Sequence, residues 1–184
     1  TIDISSVTNA TEASEQQVSV YLSEDFCNEI GGSNLSGVIS VDKKLYKSCS
    51  PYIVTGNVLI QQGVTLTIDP GVVIKIDDGK YIQVEGILKA DGTANERITF
   101  TRNGSGYWGS IKFPYQSQGG GSISYCHFLY GGYQAGTLIL DNNHNDHNLL
   151  TIKHNIFEKN TTSSNSGLIS VRNGNQNSVI EGNI

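Results

Sequence analysis

A short stretch of this chain returns at a nearly fixed interval. Ile123-Ser124-Tyr125-Cys126-His127-Phe128 aligns with Ile152-Lys153-His154-Asn155-Ile156-Phe157, and again with Ile180-Glu181-Gly182-Asn183-Ile184, at offsets of 29 and then 28 residues. A second series, Ile111-Lys112-Phe113, Leu138-Ile139-Leu140 and Ile169-Ser170-Val171, recurs at offsets of 27 and 31. Two interleaved series sharing one period mean that the chain completes a circuit and returns above itself. The repeated units are short, β-branched and alternating, and none holds a helical period, so a helical bundle is excluded. Stacked circuits place like residues over like residues and build parallel sheets along one axis, which is a β-solenoid. The corners follow from 21 Gly, 17 Asn and 20 Ser in 184 residues, all turn formers. Asn155 and Asn183 occupy equivalent corners, where an amide can bond the backbone or the Asn of the next circuit. Cys126 falls in the same slot one circuit earlier and is expected to be a small, buried free thiol.

Residues 50–101, SPYIVTGNVLIQQGVTLTIDPGVVIKIDDGKYIQVEGILKADGTANERITFT, carry a more specific pattern. A strand leads to GVTLTIDPGVV, then to a strand ending VEGILKADGT, then to ITFT. This resembles the opening coils of right-handed parallel β-helix proteins of the pectin-lyase-like kind (PbH1-type repeats), found on cell surfaces and in secretions. Tyr107-Trp108-Gly109-Ser110-Ile111-Lys112-Phe113 and Ile152 through Asn160 also fit those repeats, so the resemblance covers roughly residues 37–184. It implies an all-β, right-handed parallel β-helix but no particular activity, because adhesins, stalks and polysaccharide enzymes share the architecture. Within it Val64, Leu66 and Ile68 face the core while Thr65 and Thr67 face solvent. Asp69-Pro70-Gly71 and Asp91-Gly92 supply turns. Ile74, Ile76, Ile82, Val84, Ile87 and Leu88 are expected to stack as aliphatic ladders.

The chain divides into a polar leader and N-terminal cap over residues 1–50 and β-helix coils over 51–184. Residues 1–42 hold seven acids and no Lys or Arg, whereas 43–184 hold twelve bases and ten acids. A solenoid exposes apolar ladders and strand edges at its ends, so a cap is needed. Cys27 and Cys49 flank it, 22 residues apart, and a disulfide between them would staple it. The alternative is a reduced pair in a cytosolic chain. Sequons at Asn9, Asn34, Asn103 and Asn160 favour secretion and are the candidate glycosylation sites. The last repeat breaks off at Ile184, so the coils are expected to continue beyond it, or another copy or a partner to cover that end. No apolar run reaches the roughly 20 residues of a spanning helix, which argues against membrane insertion. No Lys/Arg cluster suggests nucleic acid.

The chemistry-bearing residues are sparse. Asp141, His144, Asp146 and His147 form the densest polar group and are weak candidates for a divalent cation, on a loop that does not fix ligand geometry. Glu85, Asp91, Glu96, Glu158 and Glu181 are scattered, with none of the converging acids a glycosidase needs. No catalytic set and no cofactor are expected. Tyr107, Trp108, Tyr115, Tyr130 and Tyr133 gather in one stretch and are candidates to stack on sugar rings, against the reading that Trp108 packs inside. The expected function is therefore an extracellular structural or adhesive β-helix, a rigid surface stalk or fibre-forming subunit, secreted or on the cell surface. A carbohydrate-binding module, meeting polysaccharide or cell-surface glycans, is the first alternative. The N-terminal part of a polysaccharide lyase or hydrolase is the second.

Overall fold

The computed structural model describes residue 27 and residues 33–115, 120–133, 136–141, 150–163, 167–172 and 178–184. The described residues are β-structured apart from helical Cys27 and one 3-10 turn, Lys47–Cys49. The strands are β1 (Asn34–Ile39), β2 (Lys43–Leu45), β3 (Tyr52–Ile60), β4 (Thr65–Ile68), β5 (Val73–Ile76), β6 (Ile82–Val84), β7 (Ile87–Asp91) and β8 (Ile98–Arg102). They continue with β9 (Ile111–Phe113), β10 (Gly120–Ser124), β11 (Cys126–Leu129), β12 (Leu138–Asp141), β13 (Leu150–Lys153), β14 (Ile156–Glu158), β15 (Ile169–Arg172) and β16 (Val179–Glu181).

Every strand pairing among the described residues is parallel, and each of β4 to β13 pairs with its equivalents one circuit before and after. One sheet runs β2-β4-β7-β10-β13-β16. The other runs β14-β11-β8-β5-β3-β6-β9-β12-β15, with β1 also on β3. Nine-residue β3 explains the curl of that larger sheet: Tyr52–Val54 pair with β5, whereas Val58–Ile60 pair with β6. The bend falls at Thr55-Gly56-Asn57, where alternation in burial is interrupted. Three parallel ladders thus enclose one interior, and the chain visits each once per circuit. Among the described residues this parallel pairing reaches back to Asn34, since β1 and β2 pair with β3 and β4.

The interior is built of columns. Leu45, Ile68, Ala90, Ile123, Ile152 and Ile180 stand in register through successive strands. Tyr52, Ile74, Phe100, Phe128 and Phe157 form another. Its last three rings stack with centroids 5.0 Å apart, close to the ~4.8 Å between paired strands, so register alone places ring on ring. The two sequence series, 123/152/180 and 111/138/169, are both true columns. Of the expected aliphatic ladder, Ile87 departs: it is exposed while Leu88 is buried. Adjacent strand residues point to opposite faces, and register gives the inner one to Leu88.

The first circuit is anchored by the Cys27–Cys49 disulfide, with Cys49 buried and Cys27 packed against the core. Buried Tyr52 reaches the same place, its hydroxyl accepting the Tyr46 N–H and donating to the Tyr46 carbonyl. Among the described residues, no helix is long and apolar enough to cross a membrane.

Candidate functional site

Two kinds of corner connect the ladders, and they place nearly all the candidate residues. At the first, between the smaller sheet and the strands β11 and β14, the chain turns on one left-handed residue. Tyr125 has φ 50°, His154 φ 56° and Gly182 φ 62°. The next residue points inward, giving Cys126, Asn155 and Asn183. The Cys126 N–H donates to Asn155 Oδ1, and the Asn155 N–H donates to Asn183 Oδ1. Asn155 Nδ2 donates to Asn183 Oδ1 and to the Ile123 carbonyl, and Asn183 Nδ2 donates to the Ile152 carbonyl. The expected Asn ladder is therefore present, and it satisfies the backbone groups that the sharp turn strips from the sheets. Cys126 is the expected buried free thiol, its Sγ 3.3 Å from the Ala90 carbonyl. Burial pushes that thiol well above its ordinary pKa, so it is held protonated.

The second corner lies between β8 and β9, and again between β11 and β12. Here Trp108 overturns the sugar-stacking assignment. It is fully buried, and its Nε1–H donates to the Leu129 carbonyl at 2.7 Å. The slot for it is opened by Gly131, where an added Cβ would lie 2.6 Å from Trp108 Cζ2. A ring enclosed in this way has no free face for a ligand. Tyr130 is covered too: the Arg102 guanidinium sits 3.8 Å from its ring centroid, and Lys159 Nζ lies at 5.9 Å on the same ring. Tyr107 and Tyr133 remain 39% and 49% exposed. Both are fixed to this corner through backbone, since the Gly79 N–H donates to the Tyr107 carbonyl and the Tyr133 N–H to the Trp108 carbonyl. Tyr115 is also exposed but follows β9, at the next corner of the circuit. The five aromatic candidates are thus a core ring, a cation-covered ring, and three exposed rings on two corners.

Stacks of a kind the sequence reading passed over run up the outside. Arg97 lies over Tyr125 at 5.5 Å, Tyr125 contacts the His154 ring at 5.0 Å, and Arg97 Nη1 donates to the His154 carbonyl. Arg102, Tyr130 and Lys159 form a second column. Both are visible in hindsight, since 97/125/154 and 102/130/159 repeat at offsets of 28 and 29. Glu158 links this column to the next, 3.2 Å from both Lys159 Nζ and His127 Nε2. Lys159, and secondarily His127, hold its carboxyl below the ordinary carboxylate value. On the smaller sheet, Asp91 accepts bonds from the Ser122 and Ser124 hydroxyls.

Asp141 pairs with Arg172 at 3.6 Å, while His144, Asp146 and His147 lie outside the described residues. Among the described residues there is no group of three or more His, Cys, Asp or Glu side chains arranged to hold a metal. Of the sequons, Asn9 lies outside the described residues, and Asn34 is exposed on β1. Asn103 is exposed in a turn, its Nδ2 donating to Asp77 Oδ1 at 2.8 Å. Asn160 is only half-exposed: its Oδ1 accepts the Gly131 N–H and its Nδ2 donates to the Phe128 carbonyl.

No protein-family model matches this chain, and no solved structure matches it. Among curated proteins, a 62-residue stretch, 34% of this chain, is 36% identical to part of Protein bark beetle from Drosophila melanogaster. That stretch spans 2% of the length of the fly protein.

Proposed function

We propose that this chain is a right-handed parallel β-helix of the cell-surface and secreted kind, serving as a rigid structural or adhesive element outside the cell. The observation that carries the reading is the unbroken stacking of side chains from Leu45 to Ile180 and from Tyr52 to Phe157. A column in which each circuit rests on the one before resists bending along its axis and offers a long lateral surface. Hydrogen bonds between circuits run along that axis, so load on a stalk or fibre falls on the sheets themselves. The disulfide at the first circuit suits an oxidising compartment. A second copy, further coils or another protein covering the last circuit would extend the rod.

The test is electron microscopy of the native protein from its source, joined to sedimentation across a range of concentrations. A narrow rod of constant width supports the stalk, and concentration-dependent lengthening supports the fibre-forming subunit. A globular envelope with no elongated part would overturn both. Exposed Tyr107, Tyr115 and Tyr133 favour a second reading, a carbohydrate-binding wall. Binding to a polysaccharide panel that vanishes in Tyr107→Ala or Tyr115→Ala would transfer the function to it.

A further inference from the structure

We propose that Asn103 carries an N-linked glycan whose first sugar seats against Tyr107, whereas Asn160, the other sequon beside this corner, stays unmodified because its amide is a structural staple. The inference rests on the extracellular reading above and adds a modification site to it. The two asparagines differ in what their amides do. Asn160 bonds backbone at both ends of its amide, to the Gly131 N–H at 2.7 Å and to the Phe128 carbonyl at 2.8 Å. Those groups belong to the circuit below, and Gly131 walls the slot that holds Trp108. A sugar on Asn160 Nδ2 would have to occupy the space between circuits. Asn103 instead is exposed in the turn Asn103-Gly104-Ser105-Gly106, and its amide donates to the carboxylate of half-buried Asp77. A glycosylated amide keeps one N–H, enough to retain that bond.

The same turn presents the ring. Asp77 receives Asn103, and two residues on Gly79 donates its N–H to the Tyr107 carbonyl at 2.9 Å. Acceptor and exposed ring are thereby pinned to one three-residue segment, Asp77-Asp78-Gly79. Asp78 fixes the intervening chain by accepting the Gly106 N–H on both carboxylate oxygens. Tyr107 offers the flat apolar face and polar tip that suit a sugar ring. In the transfer step, Asn103 Nδ2 forms a bond to the anomeric carbon of a lipid diphosphate-linked oligosaccharide. The bond from that carbon to the diphosphate oxygen breaks, the diphosphate leaves with the electron pair, and the amide gives up one proton. Nothing is oxidised or reduced.

The experiment secretes the whole chain from a glycosylating eukaryotic host behind a host signal peptide and maps its glycopeptides by mass spectrometry. The host supplies the compartment, so failure here is separable from failure of the extracellular reading, which the native protein tests. The expected result is a glycan on Asn103 in most molecules and on Asn160 in almost none. A bare Asn103, or a glycan on Asn160 in folded protein, overturns the assignment. Ser105→Ala destroys the sequon while leaving Asn103 and its bond to Asp77. It is expected to lower the melting temperature when Tyr107 is present and to have no effect in a Tyr107→Ala background. Equal losses in the two backgrounds overturn the seat on Tyr107.

Discussion

The two corners share a first step and then diverge: at the Trp108 corner Tyr130 and Lys159 are left-handed as Tyr125 and His154 are, and Asn160 bonds backbone there as Asn155 does. At Tyr125, His154 and Gly182 one left-handed residue reverses the chain, and a polar ladder through Asn155 and Asn183 takes up the backbone groups left over. At the Trp108 corner residues 103–110 and 130–137 intervene before β9 and β12 begin, and an aromatic ring closes the interior. At these three positions the tight corner fixes both conformation and length, whereas residues 92–97 join β7 to β8 at the same corner one circuit earlier. The wide corner fixes only what must be enclosed, and accepts loops of different length around it. Specification by hydrogen bonds therefore shows as exact repetition, and specification by volume shows as one large residue with glycines around it.

If the wide corner is held by volume, its largest loss comes from emptying it. Trp108→Ala is expected to cost about 3–5 kcal/mol, as for a fully buried aromatic side chain, and Phe128→Ala in the ring stack a similar amount. Urea unfolding of both variants checks this. A Trp108→Ala loss near that of a surface change would make the corner a mere loop and break the comparison.

The next effect separates the two kinds of wall. An added Cβ at Gly92, in the longer connection of residues 92–97 that makes this corner one circuit earlier, would lie 2.6 Å from the Tyr125 carbonyl oxygen and 3.0 Å from the Ile98 nitrogen. At Gly131 it would meet Trp108 Cζ2 at 2.6 Å and Thr137 Cγ2 at 2.9 Å. Overpacking of this sort costs about 1–3 kcal/mol. Gly131→Ala is expected to regain stability when combined with Trp108→Leu, because a side chain is what it strikes. Gly92→Ala strikes backbone and has no such partner. Thermal melts of the four variants decide it, and failure of the Gly131 rescue would mean that backbone closes the wide corner too.

The same contrast governs what was legible in the sequence. Ile123, Ile152 and Ile180, with Cys126, Asn155 and Asn183, keep one spacing because a one-residue turn allows no insertion, so period, parallel stacking and the Asn ladder could all be read. The offsets of 27 and 31 in the 111/138/169 series already show that loops of unequal length intervene. Trp108 occurs once, so no repeat shows its burial; only Gly109, Gly131 and Gly132 hint that backbone must make room. Apolar identity cannot choose between the adjacent strand residues Ile87 and Leu88, whereas register does, setting Ile87 beside outward Thr65 and Leu88 beside buried Leu66. Tyr130 looked available because its covers, Arg102 and Lys159, lie 28 and 29 residues away. The Cys27–Cys49 pairing was legible because only those two cysteines flank the cap, leaving Cys126 to its ladder slot.

Asparagine tests the hydrogen-bonded side directly. Asn155→Ala would orphan the Cys126 N–H and the Ile123 carbonyl inside the fold, at about 1–3 kcal/mol for buried groups left unpaired. Asn160→Ala removes two bonds at a half-exposed site where water can replace them, so about 1 kcal/mol is expected. Hydrogen exchange should show the difference locally, with the Cys126 amide losing protection in Asn155→Ala. Equal losses for both variants would erase the distinction between ladder and staple.

The smallest effect comes from the exposed ion pairs on the last circuits, and it follows pH. Lys159 and then His127 hold the Glu158 carboxyl below its ordinary value of 4.5. Lys153, 3.0 Å away, does the same for Glu181. A carboxyl with a lowered folded-state pKa stabilises the fold above its unfolded value, and that contribution disappears as pH falls through the folded value. Melting temperature should therefore hold steady above the ordinary carboxylate value of 4.5 and decline as pH falls below it. Glu158→Gln with Glu181→Gln should flatten part of that decline while lowering the midpoint slightly at neutral pH, as exposed pairs contribute little. The Asn ladder carries no titrating group, so the penalty of Asn155→Ala should be the same at both ends of the range. An acid decline that survives unchanged in the double variant would place the titrating contacts elsewhere. A penalty for Asn155→Ala that shifts with pH would show that the tight corner is coupled to these outer charges rather than independent of them.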